Sequence, residues 1–139
     1  MLFRTSIIID AAPERVWAVY TDVARWPEWT ASVTAVTLLD PGPPHLSQRV
    51  RIKQPKLPPA VWTVTGIDAG RSWTWTATAP FVRTVATHTV EPHERGTLMS
   101  ATLEQSGPLG RLIGKLAAGL TDRYLAMEAE GVKAASEGP

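Results

Sequence analysis

Apolar and polar residues alternate along most of the chain before residue 107, and this alternation predicts β-strands. The first strand covers Arg4–Ile9, where three consecutive isoleucines favour extended backbone. Turn residues separate six further strand-like runs, which are Ser32–Leu39, Arg49–Gln54, Ala60–Ile67, Ser72–Ala79, Val82–Glu91 and Thr97–Gln105. Because their connections are short, we expect these six strands to form an antiparallel meander.

Two short helices are predicted between the first strand and the second. The segment Asp10–Glu14 suits a helix start, since Pro13 fits the first turn and Glu14 complements the positive end of the helix dipole. A second helix begins after Asp22 and is limited by Pro27. We interpret the three tryptophans of this region as structural packing; they are Trp17, Trp26 and Trp29.

From Leu109 onward the spacing of apolar residues becomes helical. The residues at this spacing are Leu109, Leu112, Ile113, Leu116, Leu120, Tyr124 and Met127. One helix over Leu109–Ala134 would be about 39 Å long and would cross the whole sheet. A strongly curved sheet cannot pack along the full length of such a helix. The sequence therefore predicts an α+β fold with an apolar cavity between sheet and helix.

Composition and charge narrow the class of protein. The 139 residues fit a single domain, 1–139, and the absence of cysteine suits a reducing cytoplasm. With 14 basic against 13 acidic residues, the chain has no electrostatic footprint for nucleic acid or a membrane. No apolar run is long enough to span a bilayer. We expect a cytoplasmic protein without a nucleic-acid or membrane partner, and the choice between monomer and homodimer stays open.

Strand parity gives the predicted cavity its lining, because side chains of a strand alternate between its two faces. The expected ligand-binding residues are Trp62, Trp73, Trp75, His88, Met99, Leu116, Leu120 and Tyr124. The tryptophans could stack on an aromatic ligand or simply pack the core, and the sequence does not separate the two. Tyr124 could likewise meet a ligand or a backbone carbonyl. By contrast, Arg49, Arg51 and Lys53 alternate along one strand and are expected on its solvated face.

His88 is the one titratable side chain expected in this lining. It could bind a ligand oxygen or act as a general acid or base. Alternatively, it is a structural histidine bonded to the hydroxyl of Thr102 or Tyr124. His45 and His93 fall in turns and are expected to be solvated. Histidines scattered in this way indicate no metal site, and no motif indicates a cofactor or a nucleophile.

The segment Leu112–Leu120 has two interpretations. It could be a membrane-active amphipathic stretch. The basic residues Arg111, Lys115 and Arg123 lie on other faces, however, so we expect an ordinary helix that covers the core.

Four segments mark the order of these elements: Ile9–Trp17, Trp26–Trp29, Gly96-Thr97 at the last strand and Gly107-Pro108 before the long helix. Together they resemble the SRPBCC, or START-like, superfamily, and within it the polyketide cyclase/dehydrase-like branch. The resemblance covers almost the whole chain and implies a helix-grip fold with a deep hydrophobic pocket. Lipid carriers and aromatic cyclases share this fold, so the resemblance implies a pocket and not a reaction.

Three functions remain open at this point. The first is a binding module that holds a small hydrophobic or aromatic molecule, oriented by His88. The second is a polyketide cyclase/dehydrase-like enzyme that uses the same pocket, with His88 as acid or base. The third is a structural or interaction role, in which side chains fill the cavity.

Overall fold

A computed structural model describes all 139 residues. The chain forms seven strands, three α-helices and one 3₁₀ helix. In chain order they are β1 (Leu2–Ile9), α1 (Pro13–Thr21), the 3₁₀ helix (Val23–Glu28), β2 (Ala35–Leu38), β3 (Arg49–Lys53), β4 (Ala60–Asp68), β5 (Ser72–Ala79), β6 (Val82–His93), β7 (Gly96–Ser106), α2 (Gly110–Leu116) and α3 (Ala118–Glu137). The predicted order of elements is confirmed as far as the last strand.

All seven strands belong to one curved antiparallel sheet with the order β1-β7-β6-β5-β4-β3-β2. The last six strands follow the predicted meander, and β1 pairs with β7 at the end of that series. The pairing of β4 with β5 is irregular between Val64 and Gly66. Such an irregularity bends and twists a strand, which suits a sheet that curves around a helix. The helix-grip architecture is therefore confirmed.

Burial follows the predicted parity on the inner face of the sheet. Trp73 and Trp75 on β5 are almost completely buried, and on β3 the buried Val50 and Ile52 alternate with the exposed Arg49 and Arg51. The same alternation buries Ala86, His88 and Val90 on β6 and Met99 and Ala101 on β7. Apolar side chains from α1, the 3₁₀ helix and α3 complete one core against this face.

The predicted helix over Leu109–Ala134 is divided, so the expectation of one continuous helix is wrong. It breaks at Ala117, whose φ of −101° and ψ of 5° lie outside helical values. The first part, α2, packs against β7, whereas α3 packs mainly against β1 and α1. The apolar spacing alone does not reveal this break, because it continues unchanged through Ala117.

Candidate functional site

Five aromatic side chains meet between the sheet and the helices, and we call them the aromatic cluster: Tyr20, Trp26, Trp73, Trp75 and His88. They come from α1, the 3₁₀ helix, β5 and β6, and their ring centroids lie 4.0 to 6.3 Å apart in the contacting pairs. All five are buried. Trp62 on β4 extends the cluster, since it lies 5.8 Å from Trp75 and is only half-buried.

His88 is held at the centre of this cluster by the register of the sheet. It lies opposite Trp73 in the β5–β6 pair, and its Nδ1 donates to the Trp73 carbonyl oxygen over 3.1 Å. Burial lowers the pKa of His88 to about 3, so the ring is neutral at physiological pH. With Nδ1 carrying the proton, Nε2 presents a lone pair and is a hydrogen-bond acceptor. The partner is thus neither Thr102 nor Tyr124, the two hydroxyls expected from the sequence.

The indole nitrogen of Trp73 is a buried donor without an acceptor in the chain. The residue is completely buried, and its ring stacks on His88 with 4.0 Å between centroids and 13° between planes. Trp26 provides the contrast, because its Nε1 donates to the Tyr20 carbonyl over 2.8 Å. A buried N–H without a partner costs about 1–3 kcal/mol, so the Trp73 nitrogen is a point where an oxygen atom would be favourable.

Tyr20 joins the aromatic cluster to a carboxyl group on α3. Its hydroxyl donates to Glu128 Oε2 over 2.7 Å. Burial raises the pKa of Glu128 to about 7, although the Tyr20 hydrogen bond acts in the opposite direction. Burial also raises the pKa of Tyr20 well above its usual value, and the neighbouring carboxylate adds to that effect. A carboxyl group that titrates near neutral pH therefore lies beside the cluster.

Tyr124 ties α3 to the loop between β3 and β4. Its hydroxyl donates to the Pro55 carbonyl oxygen over 2.5 Å. Lys53 fixes the same loop by donating to the carbonyls of Gln54 and Leu57. Tyr124 thus has a backbone carbonyl as its partner, which was one of its two sequence-based interpretations. This hydrogen bond links α3 to the loop between β3 and β4.

The structure brings some of the expected site residues together and separates others. Trp62, Trp73, Trp75 and His88 form a chain of ring contacts, and Met99 is buried in the same core. Leu120 and Tyr124 lie on α3 and are partly buried. Leu116 is 79% exposed at the end of α2, on the side of that helix opposite its buried glycines. It therefore lies on the surface and not in the core.

The predicted lining left out three members of this site, which are Tyr20, Trp26 and Glu128. Trp26, interpreted from the sequence as local packing, contacts Trp73, Trp75 and His88. Glu128 is absent from the predicted lining. The sequence could have indicated Glu128, because this residue lies between Leu125 and Val132 on the buried stripe of α3, where a carboxyl group is unusual.

Two surface depressions lie away from the aromatic cluster. The first, of about 480 Å³, lies between α1 and the loop that carries Gly42 and Gln48. The second, of about 280 Å³, is lined by Ile8, Asp10, Arg95 and Lys133. No group of three or more His, Asp or Glu side chains is placed to hold a metal ion.

Comparison with known proteins gives a family and a set of similar folds. The family model described as "Polyketide cyclase / dehydrase and lipid transport" matches residues 2–137. No curated protein sequence matches the chain.

Solved structures with the same fold have low sequence identity to this chain. The Thermus thermophilus protein TTHA0849 is 18% identical with a TM-score of 0.78, over 98% of this chain and 97% of that one. The Zhui aromatase/cyclase from Streptomyces sp. R1128 is 17% identical with a TM-score of 0.79, over 99% and 93%. The di-domain aromatase/cyclase StfQ from the steffimycin pathway is 12% identical with a TM-score of 0.77, and the match covers 98% of this chain and 50% of StfQ.

Proposed function

This chain belongs to the polyketide cyclase / dehydrase and lipid transport family, and on that premise we propose that it binds one small hydrophobic or aromatic molecule between the sheet and the C-terminal helix. The observation that carries the proposal is the unsatisfied indole N–H of Trp73, which is buried in a cluster of aromatic rings. A ligand oxygen at this nitrogen would remove the cost of the unpaired donor.

The surroundings of that nitrogen set the chemistry of the ligand. The rings of Trp62, Trp75 and Tyr20 offer apolar faces and edges that suit an aromatic or polycyclic body. The Nε2 atom of His88 adds an acceptor on the ring that stacks on Trp73. Such a site favours a neutral apolar molecule with one hydroxyl or carbonyl oxygen over an anion, because an anion would be desolvated without a cation in the cluster.

Access to the cluster requires movement. The rings pack on one another, so a ligand enters by displacing them on the side of the half-buried Trp62 and Tyr124. On that side the Tyr124–Pro55 hydrogen bond is the only side-chain hydrogen bond between α3 and the β3–β4 loop. Breaking one hydrogen bond costs about 1 kcal/mol, which thermal motion supplies readily.

Native mass spectrometry of the purified protein and displacement of a fluorescent apolar dye test the proposal. We expect either a co-purified apolar compound or uptake of the dye, with displacement by naphthol and quenching of tryptophan fluorescence. Trp75→Ala should weaken dye binding, and Leu46→Ser, at an exposed position in the β2–β3 loop, is the matched control. No uptake of any apolar compound would refute the proposal and favour a structural or interaction role.

An enzymatic function with the same pocket is the second candidate, and Glu128 is the observation that favours it. A carboxyl group with a pKa raised to about 7 can both accept and donate a proton near neutral pH. His88 suits this role less well, since a pKa of about 3 leaves its Nε2 without a proton near neutral pH and its Nδ1 proton is held by the Trp73 carbonyl. Turnover of a polyketide-like substrate that is lost in Glu128→Gln, while binding persists, would support this candidate.

A further inference from the structure

The short helix α2 packs against the chain through its glycines and directs its leucines outward. Gly110 and Gly114 are buried, and a methyl group added to Gly110 would lie 3.1 Å from the Gln105 carbonyl carbon. Leu112 and Leu116 occupy the opposite side of the helix and are 54% and 79% exposed. A helix at a protein surface normally buries such residues, so the orientation of α2 is inverted relative to the usual pattern.

The exposed apolar surface continues beyond the helix. The Leu109 N–H donates to the Phe81 carbonyl oxygen over 3.0 Å, which places the β5–β6 turn beside the start of α2. Phe81 is 65% exposed and Leu109 is 39% exposed. We call these four residues the α2 patch: Phe81, Leu109, Leu112 and Leu116. Adjoining exposed apolar residues of this size mark an interaction surface more often than isolated ones do.

Positive charge flanks the α2 patch. Arg111 and Lys115 are exposed on α2 itself, and Arg83 is exposed two residues after Phe81. None of the three takes part in an ion pair. No acidic residue occurs between Glu104 and Asp122. The patch therefore combines projecting apolar side chains with unneutralised cations.

We propose that the α2 patch docks on the surface of an anionic lipid bilayer. Leucine and phenylalanine beside lysine and arginine is the combination that binds the interface of such membranes, where the apolar groups enter the head-group region and the cations meet phosphate. A second copy of the chain suits the patch less well, because two-fold pairing would bring the same cations together. The patch is also not part of either surface depression described above, so it offers neither of these grooves to a peptide partner.

This contact is peripheral. No helix has the length and apolar character needed to cross a bilayer. The proposal departs from the sequence-based expectation of no membrane partner, which assumed that Leu112–Leu120 covers the core. The exposure of Leu112 and Leu116 removes that assumption.

Vesicle flotation of the full chain tests the proposal, with pure phosphatidylcholine vesicles compared to an equimolar mixture of phosphatidylcholine and phosphatidylglycerol. We expect binding to the mixed vesicles that weakens with added salt. Exchange of both leucines, in L112S/L116S, should weaken it by about tenfold for each leucine. Exchange of both cations, in R111Q/K115Q, should weaken it by about fivefold for each charge. L46S removes a leucine elsewhere whose exposure, 60%, lies between those of Leu112 and Leu116, and it should bind as the wild type does.

Two outcomes would overturn the proposal. The first is no flotation with either vesicle, or flotation that L112S/L116S leaves unchanged. The second is a dimer in sedimentation equilibrium that L112S/L116S dissociates, since the patch would then be an interface between copies. Circular dichroism of each variant checks the fold, which we expect to persist because every exchanged side chain is exposed. Uptake of an apolar dye is measured in parallel, so the docking proposal and the proposed function can fail separately.

Discussion

The imidazole of His88 lies face to face with the indole of Trp73, and its Nδ1 donates to the backbone carbonyl of the same tryptophan. The stacking and the hydrogen bond fix both the position of the ring and its tautomer. A neutral histidine held in this way is a stable acceptor at Nε2 and not a proton donor. The chemistry of the site therefore follows from the register of two adjacent strands.

Replacement of His88 by asparagine should distinguish the roles of its two ring nitrogens. The asparagine amide can reproduce the donor at Nδ1 but not the acceptor at Nε2. We expect the fold to persist with a loss of about 1–3 kcal/mol in unfolding free energy from the lost ring stacking. The preference for naphthol over naphthalene, measured by tryptophan quenching, should decrease, because naphthol loses the Nε2 acceptor and keeps the Trp73 donor. An unchanged preference together with lower stability would make His88 a structural residue only.

Glu128 and His88 should impose opposite pH dependence on stability. The folded state raises the pKa of Glu128 from 4.5 to about 7, so it binds the proton more tightly than the unfolded chain does. Its contribution is fully present below the unfolded value and is lost as pH rises through about 7. His88, whose pKa is lowered from 6.5 to about 3, contributes stability above 6.5 that is lost as pH falls toward 3.

The two single variants should expose these opposing slopes. Between pH 4.5 and 6.5, Glu128→Gln should leave stability rising with pH, and His88→Asn should leave it falling. The pKa shift of Glu128 corresponds to an upper limit of about 3 kcal/mol in unfolding free energy. The actual effect should be smaller, because the side chain is partly exposed. Urea unfolding at several pH values measures both slopes. Parallel curves for the wild type and Glu128→Gln would show that Glu128 has an ordinary pKa.

Tyr124→Phe should speed ligand exchange. It removes the hydroxyl that holds the β3–β4 loop against α3 and retains the ring. We expect a loss of about 1 kcal/mol in stability and faster association and dissociation of an apolar dye, with little change in equilibrium affinity. Stopped-flow fluorescence measures these rates. Unchanged rates would place the entrance elsewhere.

Local periodicity predicted the inner face of the sheet, because the alternation of side chains along a strand needs no tertiary information. Trp73, Trp75 and His88 were placed together for this reason. The Tyr20–Glu128 hydrogen bond joins residues 108 positions apart and depends on how α1 crosses α3, which no local pattern encodes. Leu116 was misplaced for a related reason, since the apolar spacing is the same whether a helix continues or turns at Ala117.

Two glycines of α3 should respond in opposite ways to alanine, and this tests the packing of that helix. A Cβ added to Gly131 would lie 2.4 Å from the Trp29 carbonyl oxygen, a backbone atom that cannot move aside cheaply. Gly131→Ala should therefore cost about 3 kcal/mol or more in unfolding free energy. Gly119 has no atom within 4 Å of an added Cβ, so Gly119→Ala should stabilise the helix by up to about 1 kcal/mol. Urea unfolding of the pair is the measurement. Equal effects at the two positions would mean that α3 does not approach Trp29 this closely, and the aromatic cluster beside Trp29 would then be looser than described.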